Sequence, residues 1–138
     1  MDSTGNYQAD SATEWDCVMD NDTGLLWEVK TDDSGLRDTQ WTYSWYDSNP
    51  DTNGGDAGTA DGGTCFDTSN CDTQNYAEQV NSGGGICGYT DEWRLPIEDE
   101  LGGLLNCIFG EDCNVDNAPL LDQAYFPNTQ SVFYWSWT

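Results

Sequence analysis

Residues 87–101 read CGYTDEWRLPIEDEL, and this stretch decides the fold. An aromatic segment runs into a Leu-Pro step, and a helical pattern begins at once beyond it. Pro96 suits a first helical turn, where its missing N–H would have no intrahelical partner. Glu98, Asp99 and Glu100 then sit at the positive end of the helix dipole. Ile97, Leu101, Leu104, Leu105 and Ile108 recur at helical spacing, so the pattern predicts a helix through about Ile108. Gly102 and Gly103 weaken it by about 1 kcal/mol each relative to Ala. Arg94 stands out because the chain has only three cations.

Working toward the N-terminus, Asp72 or Thr73 can cap a helix running to about Val80, with Tyr76, Ala77 and Val80 on its inner face and glycines 83–85 ending it. Residues 48–64, SNPDTNGGDAGTADGGT, consist of turn-formers and predict a long surface loop. Before it, WTYSWY (41–46) would place Trp41, Tyr43 and Trp45 on one side of an extended segment and Thr42, Ser44 and Tyr46 on the other. WDCVMDNDTGLLWEV (15–29) reads as two short strands around a DNDTG turn, a hairpin whose turn also carries the glycosylation sequon Asn21-Asp22-Thr23. Residues 1–14 are polar and read as a flexible lead-in to one domain spanning 15–138. At the other end, AYFPNTQSVFYWSWT (124–138) reads as a turn followed by a strand.

Twenty-six acids against three bases give a net charge of −23, which repels nucleic-acid phosphates and anionic membrane surfaces. No apolar run is long enough to insert into a bilayer. Seven Trp, seven Tyr and four Phe supply the material for a core, so the acidity does not imply disorder. Six cysteines, an even number in a small chain, read as a disulfide framework formed in an extracellular or cell-surface setting. Zinc prefers closer Cys pairs, usually with His, and this chain has no His. Fifteen pairings are formally possible. The short loops suggest Cys65–Cys71 and Cys107–Cys113, which leaves Cys17 with Cys87.

Without His, the Ser-His-Asp and Cys-His nucleophile systems are unavailable, and oxidised cysteines offer no thiolate. A carboxylate pair could in principle hydrolyse a glycoside, but so many acids produce close pairs by chance. The chain is therefore read as non-enzymatic. Calcium is the better-matched cofactor: Asp20 and Asp22 in DNDTG, Asp32 and Asp33 in TDDSG, and Asp51, Asn53, Asp56 and Asp61 in the Gly-rich loop offer hard oxygens on flexible backbone. Tyr43, Tyr46, Tyr89 and Trp137 are the weaker core candidates among the aromatics. Their faces suit stacking on the apolar side of a sugar, so a glycan is the expected partner.

TGLLWEV (23–29), CGYTDEWRLPIEDEL (87–101) and AYFPNTQSVFYWSWT (124–138) together resemble, in this order, the family named after the C-terminal domain of the Legionella collagen-like adhesin. The resemblance implies a C-type lectin-like α+β unit: two short helices packed on short antiparallel strands, with long loops, stapled by disulfides. It implies a ligand-binding adhesin module of a surface protein. It also implies that WRLP closes a strand-to-helix corner, with Trp93 and Leu95 buried and Arg94 paired to Asp91 or Glu98, or else free to contact a ligand. Glu92 is an extra residue against the family pattern. The family pattern continues with further strands beyond this sequence. A neighbouring chain could supply them, so the alternative expectation is a homo-oligomeric or filament subunit completed by strand addition.

Overall fold

A computed structural model describes residues 1–9, 11–105 and 121–137. The predicted hairpin is present. Strand β1 (Cys17–Met19) pairs antiparallel with β2 (Leu26–Glu28), and Val18 faces Trp27 across the ladder. The DNDTG turn closes because Asp20 accepts hydrogen bonds from the Asp22 N–H (2.9 Å) and the Thr23 hydroxyl (2.6 Å). Helix α1 (Thr73–Ser82) follows its sequence signals closely: Asp72 is the N-cap, and Gly83 ends the helix.

Asp72 is fully buried. Its carboxylate accepts from the Asn75 N–H (2.8 Å), the Asn75 amide (2.7 Å) and the Asp61 N–H (3.1 Å), so it ties the start of the helix to the end of the Gly-rich loop. Asp72→Ala is expected to lower stability by about 2 kcal/mol, the upper range for a lost cap, because the freed donors are also shielded from water. Urea unfolding checks this against Asp51→Ala, an exposed loop substitution expected to change stability by less than about 0.5 kcal/mol.

Cys17, Val80, Ile86 and Cys87 form the buried core, with Leu26, Leu36, Tyr76 and Trp93 packed against it. The Cys17–Cys87 disulfide thus fastens the hairpin to the segment after α1, and Cys65–Cys71 staples the far end of the loop. Both match the expected pairing; Cys107 and Cys113 lie outside the described residues. Met1 also packs on this core, and its carbonyl accepts from the Asp16 and Cys17 N–H groups, so the segment read as a flexible lead-in is docked at its start. Gly85 makes the turn after α1 possible: its φ is +70°, and a Cβ there would lie 1.7 Å from the Tyr89 carbonyl oxygen.

Two expectations of secondary structure need correction. Helix α2 (Glu98–Gly103) is only six residues long and ends with Leu104 as its C-cap, so Leu105 lies outside it; the Gly102-Gly103 pair removes the propensity that would carry the apolar spacing further. Ile108 lies outside the described residues. Residues 41–46 are extended, as expected, and form single bridges, Thr42 to Thr64, Ser44 to Asp72 and Tyr46 to Gly58. The C-terminal segment does not form the expected strand. Within 121–137 only Trp137 makes a bridge, to Ile97, and its N–H donates to the Pro96 carbonyl.

That segment is nevertheless anchored by side chains. The Trp15 indole donates to the Tyr125 carbonyl (2.8 Å), the Asn128 amide to the Lys30 carbonyl (2.7 Å), and the Trp135 indole to the Tyr43 carbonyl (2.6 Å). Among the described residues, no helix is long and apolar enough to cross a membrane.

Candidate functional site

The hairpin, α1, the WRLP corner, α2 and the 121–135 segment enclose a cleft of about 460 Å³. Trp27, Trp93, Leu101, Phe126 and Trp135 line its walls.

One end of the cleft is polar. Glu28, at the end of β2, accepts hydrogen bonds from Lys30 (3.0 Å), Arg37 (3.1 Å) and the Tyr76 hydroxyl (2.6 Å). Arg37 also donates to the Asp16 carboxylate (3.0 Å) and to the backbone carbonyls of Asp16 and Val29. The Lys30 ammonium lies 4.0 Å from the centre of the Tyr76 ring, and Tyr43 packs on the same ring at 4.9 Å between centroids. Burial, reinforced by the Glu28 carboxylate, pushes the Tyr43 phenol up to about 12 and the Tyr76 phenol well above its usual range. Burial opposes the Arg37 charge, but Glu28 and Asp16 outweigh it and raise its pKa. Both phenols therefore stay protonated at neutral pH and act as hydrogen-bonding groups, not bases.

Arg94 answers the question posed by its scarcity. Its guanidinium makes a two-pronged contact with Glu100 (2.7 and 2.8 Å) and also donates to the Leu95 carbonyl. Glu100 also accepts from the Ile97 N–H (2.9 Å), which caps the first turn of α2. The partner is thus Glu100, not Asp91 or Glu98, because only the third helical residue can reach back to the corner. Trp93 and Leu95 are half-buried rather than buried. The Arg94 hydrogen bonds, then the Ile97 N–H, hold the Glu100 carboxyl at about 2 instead of 4.5. A lowered carboxyl pKa stabilises the fold above about 4.5, and that contribution is lost as pH falls toward 2. Arg94→Gln should therefore flatten the loss of stability between pH 5 and 2.5, measured by urea unfolding, while costing less than about 1 kcal/mol at pH 7 because the pair is solvent-screened.

All three cations of the chain are thus held in ion pairs with the chain's own carboxylates. Of the residues expected to contact a ligand, Tyr43, Tyr89 and Arg94 line the cleft, whereas Tyr46 and Trp137 lie away from it. Trp27, Glu28, Lys30 and Tyr76 were not among them. A signal was present: Lys30 and Arg37, two of only three cations, follow Glu28 within nine residues. The Trp27 indole N–H, at the cleft wall, is buried without a hydrogen-bond partner among the described residues.

The residues expected to hold calcium are spread over separate turns. Asp20 and Asp33 accept backbone and hydroxyl hydrogen bonds from their own turns, which lowers their pKa values. The Asp56 carboxylate takes the Gly58 N–H, and Asn53 bridges the Gly55 N–H and the Asp47 carbonyl. Asp61 enters its turn at a φ of +53°. Asp22, Asp32 and Asp51 are not drawn together with them, and among the described residues no three His, Cys, Asp or Glu side chains converge to hold a metal ion. Asp20, Asp33 and Asp56 thus organise their own turns by accepting backbone N–H groups.

Among the described residues, the chain is a small α+β module with two disulfides and an aromatic cleft that has one polar end. The chain belongs to the Lcl C-terminal domain family, whose model matches residues 16–138, and this makes it adhesin-related. Comparisons with curated proteins and with solved structures found no match.

Proposed function

We propose that this domain is an extracellular, non-enzymatic ligand-binding module, C-type lectin-like in architecture, that holds a carbohydrate in the aromatic cleft. The observation that carries this reading is the pairing of Trp and Phe walls with a hydrogen-bonding floor of Glu28, Lys30 and Tyr76 in one cavity. Aromatic faces accept the apolar side of a pyranose, and the floor meets its hydroxyls. Adhesin-related family membership and the disulfides support a surface location. With −23 charges and every cation internally paired, polyanionic glycans are disfavoured.

A glycan-array screen in calcium and again in EDTA tests the reading. Binding that survives EDTA supports recognition in the cleft; binding lost in EDTA assigns calcium a role at the Asp20–Asp22 or Asp51–Asp61 turns; no binding in either condition removes the carbohydrate reading. A second reading, a filament subunit completed by its neighbour, is favoured by the exposed 132–135 segment, where Val132 is 67% and Trp135 52% exposed and Phe133 is fully exposed. Size-exclusion chromatography at high concentration decides it: a strictly monomeric chain counts against filaments.

A further inference from the structure

We infer that the cleft selects ligands carrying an organic cation, an alkylammonium group seated among Tyr89, Glu92 and Trp93. The inference rests on the reading that the cleft is the ligand site, and it names the chemical class of the group recognised. Five charged residues line the cavity, namely Glu28, Lys30, Glu92, Arg94 and Glu100. Lys30 is matched by Glu28 and Arg94 by Glu100, whereas Glu92 has no ion-pair partner among the described residues. The cleft therefore carries one uncompensated carboxylate, on the short segment that also brings Tyr89 and Trp93 to the wall. The Trp93 indole donates to the Tyr89 carbonyl (3.0 Å), which fixes the two residues relative to each other. The negative face of an aromatic ring attracts an organic cation, and a neighbouring carboxylate strengthens the site. The cavity already seats one cation this way, the Lys30 ammonium over Tyr76. The field of a −23 chain concentrates cations at such an opening.

The test compares choline with 3,3-dimethylbutan-1-ol, which has the same shape but no charge, by calorimetric titration of the intact chain at low ionic strength. Choline is expected to bind saturably and at least about tenfold more tightly than the neutral isostere. Glu92→Gln and Tyr89→Leu, both at exposed positions, should each weaken choline severalfold. Asp51→Asn, which removes the same charge away from the cleft, should not. Equal binding of the two probes would overturn the inference while leaving the cleft as a ligand site. An equal loss in Glu92→Gln and Asp51→Asn would overturn it as general ionic attraction, and no saturable binding of either probe would overturn the inference alone, since the glycan array decides the carbohydrate reading.

Discussion

Arg37→Met is expected to cost about 3 kcal/mol of folding stability, a large share of the roughly 5–15 kcal/mol that holds a domain of this size together. The guanidinium is mostly buried and satisfies two carboxylates, Glu28 and Asp16, and two backbone carbonyls at once. Its removal leaves the Asp16 carboxylate without its ion-pair partner and the Asp16 and Val29 carbonyls without this donor, and leaves Glu28 with only Lys30 and Tyr76, in a chain of net charge −23. Arg37→Lys should recover little, because an ammonium cannot reproduce the fork that spans Glu28 and Asp16. Urea unfolding of the two variants beside Arg94→Gln checks the contrast. A loss below about 1 kcal/mol for Arg37→Met would show that the network is solvated and does not hold the floor of the cleft.

The second large effect concerns the disulfides, and it separates them by the chain length each closes. Cys17 and Cys87 are 70 residues apart, whereas Cys65 and Cys71 are 6 apart. The loop-entropy relation gives about 4 kcal/mol for the long closure and about 2 for the short one. The Cys17→Ser/Cys87→Ser double variant should therefore be unfolded or close to it at 37 °C, since this bridge also sits in the core. The Cys65→Ser/Cys71→Ser variant should stay folded with a lower midpoint. Circular dichroism melts of both distinguish this ordering from its reverse.

Local signals were legible in the sequence wherever one short-range interaction decides the outcome. The DNDTG hairpin, the Asp72 cap and the short Cys65–Cys71 loop all depend on residues within a few positions of one another. Helix α2 was overextended because its apolar spacing is genuine while the glycine pair that stops it costs only about 2 kcal/mol in total by propensity, too little to read as a stop. The C-terminal strand was misread for a different reason: its alternating aromatics suit a strand, but among the described residues no long partner lies beside it, so Trp135 and Trp137 are fixed singly by their N–H groups. At the site, the aromatic character was legible and the floor was not. Glu28, Lys30 and Arg37 lie within nine residues of one another, but Tyr76 joins them only through side-chain contacts between residues 46 and 48 positions apart. Arg94 shows the same limit on a smaller scale, since choosing Glu100 over Glu98 requires knowing where the first helical turn begins.

The claim that the cleft is the ligand site is tested most directly by following the indole N–H resonances of the seven Trp residues during titration with whichever glycan the array selects. Trp27, Trp93 and Trp135 line the cleft; Trp15, Trp41, Trp45 and Trp137 do not. The account predicts shifts confined to the first three. Shifts confined to Trp41, Trp45 or Trp137, with the three cleft signals unmoved, would contradict it.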